Sequence, residues 1–186
     1  MRNWIDIIAE AEEPWIKAKG PIEEYDLITA LYVWMTSYSK DDSWTGRKND
    51  LCRKIIALSA GHPPTYSGIL YRGTGIPDEA AYALARGETV TILPTPQLLT
   101  SWTSRYEHAA LFCENACDDN MSAAIIAIPS SRLKMVVDMS ILYDAVPETG
   151  HESEILVRSG PLTISPKDLQ ELWVYREDKE ECDQII

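Results

Sequence analysis

The stretch His151-Glu152-Ser153-Glu154-Ile155-Leu156-Val157-Arg158-Ser159-Gly160 sets two carboxylates, one serine apart, at the mouth of an apolar, β-branched run. A run of that length and composition, bounded by turn residues, predicts a strand. In an extended segment successive side chains point to opposite faces, so Glu152 and Glu154 are expected on one face, reaching into one cleft. Taken alone, the pattern better fits an exposed strand edge that uses charge to discourage aggregation. The rest of the chain decides between the two.

Working outward, the irregular stretch Tyr143 to Gly150 delivers the glutamates, and Leu133 to Asp138 predicts the strand before it. Ala123 to Ile128 is a fully apolar strand bounded by Pro129, while Leu162-Thr163-Ile164 and Leu169 to Tyr175 supply the last candidates. Upstream, Gly68 to Gly73 reads as a strand with Arg72 near its end. Pro77-Asp78-Glu79 opens a helix running to Arg86, with Gly87 as its stop. Thr89 to Leu93 and Leu98 to Trp102 are further strands around the Pro94 and Pro96 turn. Ser104 with Glu107 fits the S-x-x-E box that starts a helix. Strands without regular βαβ alternation predict an α+β fold with mainly antiparallel sheets.

The first third has helical periodicity: Trp4, Ile7, Ile8, Ala11 and Trp15 in one segment, Leu27, Leu31, Trp34, Met35 and Tyr38 in a second. After the polar loop Asp41-Asp42-Ser43, Leu51, Ile55 and Leu58 predict a third helix, capped by Asn49 or Asp50. Gly61-His62-Pro63-Pro64 is a stiff break. The chain therefore reads as a helical segment, residues 1–66, packed on a core of residues 67–186, together one compact domain.

A net charge of -12 repels nucleic acid, so no nucleic-acid partner is expected; basic partners suit this surface. No apolar run approaches the roughly 20 residues that cross a bilayer, and Asp6 stands where a signal peptide needs its apolar centre. A cytoplasmic protein with no membrane partner is expected. The four cysteines, Cys52, Cys113, Cys117 and Cys182, form no CxxC pair or zinc pattern, so free thiols and no metal are expected.

Several chemistries fail on the residues. Gly73-Thr74-Gly75 lacks the third glycine of a dinucleotide loop, and Asp78 and Glu79 oppose a pyrophosphate at the next helix start. No GxxxxGK[ST], GxSxG or HExxH occurs. Three pieces remain, in order: Tyr71-Arg72-Gly73, the cluster Thr100-Ser101-Trp102-Thr103-Ser104, and Glu152-Ser153-Glu154. An arginine grips phosphate bidentately, a serine hydroxyl orients a carboxylate, and a glutamate stabilises an oxocarbenium ion as a glycosidic bond breaks.

That order, over roughly residues 67 to 176, resembles the R-S-E class of mono-ADP-ribosyltransferases, which includes bacterial toxin and phage-encoded enzymes. The resemblance implies an ADP-ribosyltransferase-like fold of two packed, mainly antiparallel sheets behind an N-terminal helical segment. It implies transfer of ADP-ribose from NAD to an arginine side chain of a host or other target protein. Arg72, with its neighbour Gly73, would hold the NAD phosphates; Ser101, flanked by Trp102 and Thr103, would position Glu154 on the nicotinamide ribose. Glu152 would select arginine as acceptor, because a guanidinium is a permanent cation that needs a carboxylate to orient it and draw off a proton. Tyr38, or Tyr32, would close over NAD, and the loop Tyr143 to His151 would meet the target. Ser101 is taken as the serine of the motif, with Ser104 used as a helix cap. The alternatives are an NAD glycohydrolase, with water as acceptor, and a catalytically silent binding module on the same fold.

Overall fold

Apolar side chains three and four residues apart share one helix face. In the computed structural model, which describes residues 21–36, 43–93, 97–118, 121–147, 153–176 and 181–186, that face is buried. Leu31 and Trp34 of α1 (Leu27–Thr36) share a core with Leu51 and Ile55 of α2 (Ser43–Leu58). The helix expected from Trp4 to Trp15 lies outside the described residues. α2 begins at Ser43, ahead of the caps expected at Asn49 and Asp50. Apolar periodicity marks its second half, where Leu51 and Ile55 are buried. Asn49 reaches outward instead, its Oδ1 accepting the Leu98 N–H at 3.2 Å.

Past the Gly61–Pro64 break come β1 (Ile69–Ile76) and α3 (Asp78–Ala85). Gly87, at φ 88°, closes α3 as expected: its N–H donates to Leu84 O at 2.9 Å, and the Glu88 N–H donates to Ala83 O at 3.0 Å. The chain continues through β2 (Val90–Ile92), β3 (Leu99–Thr103), α4 (Tyr106–Asp118), β4 (Ser122–Pro129) and β5 (Met135–Asp138). It ends with α5 (Ser140–Ala145), β6 (Glu154–Arg158), β7 (Leu162–Ile164), β8 (Leu169–Arg176) and β9 (Glu181–Gln184). α5 and β9 are additions to the expected elements. α5 occupies part of the stretch read as irregular, held by buried Leu142 and Tyr143. β9 lies in the acidic tail, where its ladder to β8, from Trp173↔Gln184 to Arg176↔Glu181, sets its conformation.

Among the described residues seven strands form one sheet in the order β5-β6-β3-β1-β4-β8-β9, and β2 pairs with β7 in a separate ribbon. Every pairing is antiparallel. The fold is therefore mixed α+β with a mainly antiparallel sheet, as expected, with a large sheet and a two-stranded ribbon as its two sheets. Leu99, Val137 and Leu156 pack beneath α1, α2 and α5, so the described part of the helical segment shares one core with the sheet. On the opposite face Leu70, Trp102, Ile126 and Ile155 pack with Leu84 of α3 and Ile164 of the ribbon. No described helix is long and apolar enough to cross a membrane. Cys52 and Cys113 are free and buried, but Cys182 is disulfide-bonded, which corrects the expectation of free thiols at that position. Spatial approach decides a disulfide, and sequence spacing does not report it.

Candidate active site

The large sheet is nearly two. β3 and β1 share a single Cα pair, Tyr71↔Thr103, whereas β1–β4 runs from Ile69↔Pro129 to Ile76↔Ser122 and β3–β6 from Leu99↔Arg158 to Thr103↔Glu154. Beyond that pair β1 and β3 part, leaving a fork. Gly73 holds β1 in place there. A Cβ on Gly73 would stand 1.8 Å from Ala109 O and 2.7 Å from Cys113 N, so the α4 backbone lies directly on β1 and only glycine fits.

Arg72 bridges the fork. Its Nη1 donates to the Ser101 carbonyl at 2.8 Å. That oxygen is on the β1 side of β3, because the alternate positions turn toward β6: Ser159 N–H donates to Leu98 O at 3.0 Å, and Ser104 N–H to Ser153 O at 3.2 Å. The guanidinium thus stands where a ladder partner would. Burial lowers its pKa from 12.5 to about 10, partly opposed by the charge of Glu154, so it stays cationic at neutral pH. Among the described residues it makes that one hydrogen bond, and a guanidinium carries five N–H donors. The unspent donors in a partly buried site suit an anion with paired oxygens, as a diphosphate has.

Ser101 and Glu154 meet by register. Ser101↔Leu156 and Thr103↔Glu154 are cross-strand partners, which puts Ser101, Thr103 and Glu154 on one face. The Ser101 hydroxyl hydrogen-bonds Glu154 Oε1. Glu154 is only 8 % exposed, deep enough that a charged carboxylate needs such partners. Thr103, also buried, accepts the Arg105 N–H on its Oγ1 at 3.1 Å, which turns the chain into α4 at Tyr106. Ser101, rather than Ser104, is the serine that touches Glu154.

The expected residues divide accordingly. Arg72, Ser101, Thr103 and Glu154 gather at the fork. Trp102 points the other way, into the core with Leu70 and Ile126, and its Nε1 donates to Thr100 Oγ1 at 3.3 Å. Gly73 serves helix packing. Tyr32 is partly buried against the helical core. Glu152 and Tyr38 lie outside the described residues. The expectation that Glu152 and Glu154 share a face therefore falls partly outside the described residues; between them Ser153 has φ 51°, and β6 begins at Glu154. The sequence reading missed Tyr71. It pairs with Thr103, which pairs in turn with Glu154, so the three share a face, and it meets Tyr106 edge-on at 6.2 Å between ring centres. Its signal was an aromatic one residue before Arg72.

Among the described residues no group of three or more His, Cys, Asp or Glu side chains could hold a metal ion. No family model, characterised protein or solved structure matches this chain.

Proposed function

We propose that the chain is a mono-ADP-ribosyltransferase, moving ADP-ribose from NAD to an arginine side chain of a target protein and releasing nicotinamide. The observation that carries this reading is the meeting of Arg72, Ser101 and Glu154 at the fork, three residue types from three strands, each suited to one task of the reaction. Arg72 grips the diphosphate with its unspent donors. Ser101 fixes the Glu154 carboxylate, which bonds the nicotinamide ribose and stabilises the positive charge that builds as the ribose–nicotinamide bond breaks. The acceptor nitrogen then bonds the ribose carbon, and Glu152 takes the proton it sheds. A chain with net charge -12 favours a target with a basic surface.

The test is incubation with NAD and candidate lysates, followed by mass spectrometry for ADP-ribose on arginine. Wild type should modify a discrete protein, and Glu154→Gln should lose the activity by about a hundredfold or more. Absence of transfer, or a Glu154→Gln variant as active as wild type, overturns the reading. Glu152→Gln should lose arginine transfer while retaining NAD hydrolysis.

A further inference from the structure

We propose a second binding site, at the opposite end of the β3–β6 pair, for a small organic anion with an apolar body. An open cleft of about 330 Å³ lies there, lined by Arg53, Ile56 and Ala57 of α2 and by Leu98, Arg158 and Ser159 at the strand ends. The ladder closes with Leu99↔Arg158, and the Leu98 N–H is tied to α2 through Asn49. Along β6, Glu154, Leu156 and Arg158 alternate onto the same face. One strand thus carries the fork carboxylate at its start and this guanidinium at its end, about 13 Å away at the usual rise per residue.

The cleft runs against the charge of the chain. Acidic residues outnumber Lys and Arg by 29 to 17, yet two arginines line this one depression. Arg158 is exposed; its backbone N–H donates to Lys134 O at 2.9 Å, but among the described residues its guanidinium makes no hydrogen bond or ion pair. Arg53 is paired with Asp50 at 2.5 Å, one turn away on the same helix, but both side chains are more than 60 % exposed, and such surface pairs exchange readily for another anion. Ser159 lines the cleft, and among the described residues its buried Oγ has no hydrogen-bond partner. Ile56, Ala57 and Leu98, the last 37 % exposed, supply apolar surface between these polar groups. Two arginines and an apolar floor in a volume at the small end of ligand pockets fit a short aliphatic or aromatic carboxylate or phosphate monoester.

The experiment is an amide NMR titration of the full chain with three probes of one chain length: hexanoate, hexyl phosphate and hexanol. At least one anionic probe should saturate, shifting the amides of residues 53–57, 98 and 158–159. Hexanol should bind at least tenfold more weakly. Arg158→Gln should weaken the anion at least tenfold with a melting midpoint within about 2 °C of wild type, and Arg53→Gln should weaken it less. The tighter anion identifies the head group. The proposal is overturned if neither anion saturates by about 10 mM, if hexanol binds as well, or if Arg158→Gln leaves affinity unchanged.

Discussion

At Ser153 the backbone holds φ 51°, a conformation that costs a residue with a Cβ about 1–2 kcal/mol. It is held by its neighbours: the Ser104 N–H donates to Ser153 O, and the Met139 N–H to Glu154 O at 2.9 Å. Strain next to a buried carboxylate is characteristic of sites whose geometry the fold over-determines. Ser153→Gly should therefore leave stability unchanged or raise it slightly, whereas Ser153→Val should cost about 2 kcal/mol in a denaturant titration, because a β-branched residue tolerates positive φ worst. A loss no larger for valine than for glycine would mean that the backbone is not strained. Arg72 offers a separate test. Arg72→Lys keeps a cation at the fork but gives up the planar pair of donors. On the proposed function, NAD affinity, read by calorimetry, should fall about tenfold or more, with the melting midpoint little changed. The residue identities at the fork were legible in the sequence, since Arg, Ser and Glu stand in order and each suits its task. The αL backbone at Ser153 was not, because periodicity assumes the extended backbone it would have to detect.

Among the elements, α4 lies on β1 through Gly73 with no room for a methyl group. Gly73→Ala should cost about 3 kcal/mol or more, or leave no folded protein, because the obstruction is backbone rather than a movable side chain. The denaturation midpoint measures it. The turn Pro166–Asp168 supplies a second joint. Asp168 accepts from Arg132 Nη1 at 2.6 Å and from both the N–H and the hydroxyl of Ser165 at 2.9 Å, while Arg132 Nη2 donates to Thr163 O at 2.8 Å, tying the turn to the ribbon. Burial pushes the Asp168 carboxyl up, but the Ser165 N–H, the Arg132 guanidinium and the Ser165 hydroxyl together hold it below its ordinary value. Folding thus favours the carboxylate, and its contribution is complete above the unfolded pKa near 4 and lost as pH falls through the lower folded value. Asp168→Asn should remove about 2 kcal/mol at neutral pH and flatten the acid limb of stability against pH. An unchanged acid limb would assign that limb to other carboxylates. Long apolar elements were legible because burial writes a period into them: Ala123 to Ile128 and the Leu31–Trp34 face are examples. The Ser165–Asp168 box escaped notice because a single 3₁₀ turn carries no such period, and β9 because its partner strand, not its polar sequence, makes it a strand.

For the whole molecule, the α+β class followed from the absence of βαβ alternation, but the strand order did not. The neighbours β3 and β1 are separated in the chain by α3 and β2, and the fork that gathers the site exists because they join at one pair only. Sequence order names the residues of a site; pairing between distant strands decides whether they meet. Charge acts at this scale as well. With 29 acidic against 17 basic residues, the folded surface repels itself. The described ion pairs offer little against that repulsion: Arg53–Asp50 and Arg86–Glu88 are exposed, and pairs of that kind contribute at most about 1 kcal/mol. Arg132–Asp168 is the better buried one. Salt shortens the reach of the repulsion, to a Debye length of about 10 Å at 0.1 M, more than it weakens that one partly buried pair. Raising sodium chloride from about 20 to 300 mM should therefore raise the melting midpoint by about 2–4 °C, as a gain near 1 kcal/mol does in a chain of this size. A midpoint that falls with salt would mean that local ion pairs, and not net repulsion, govern the electrostatics of this fold.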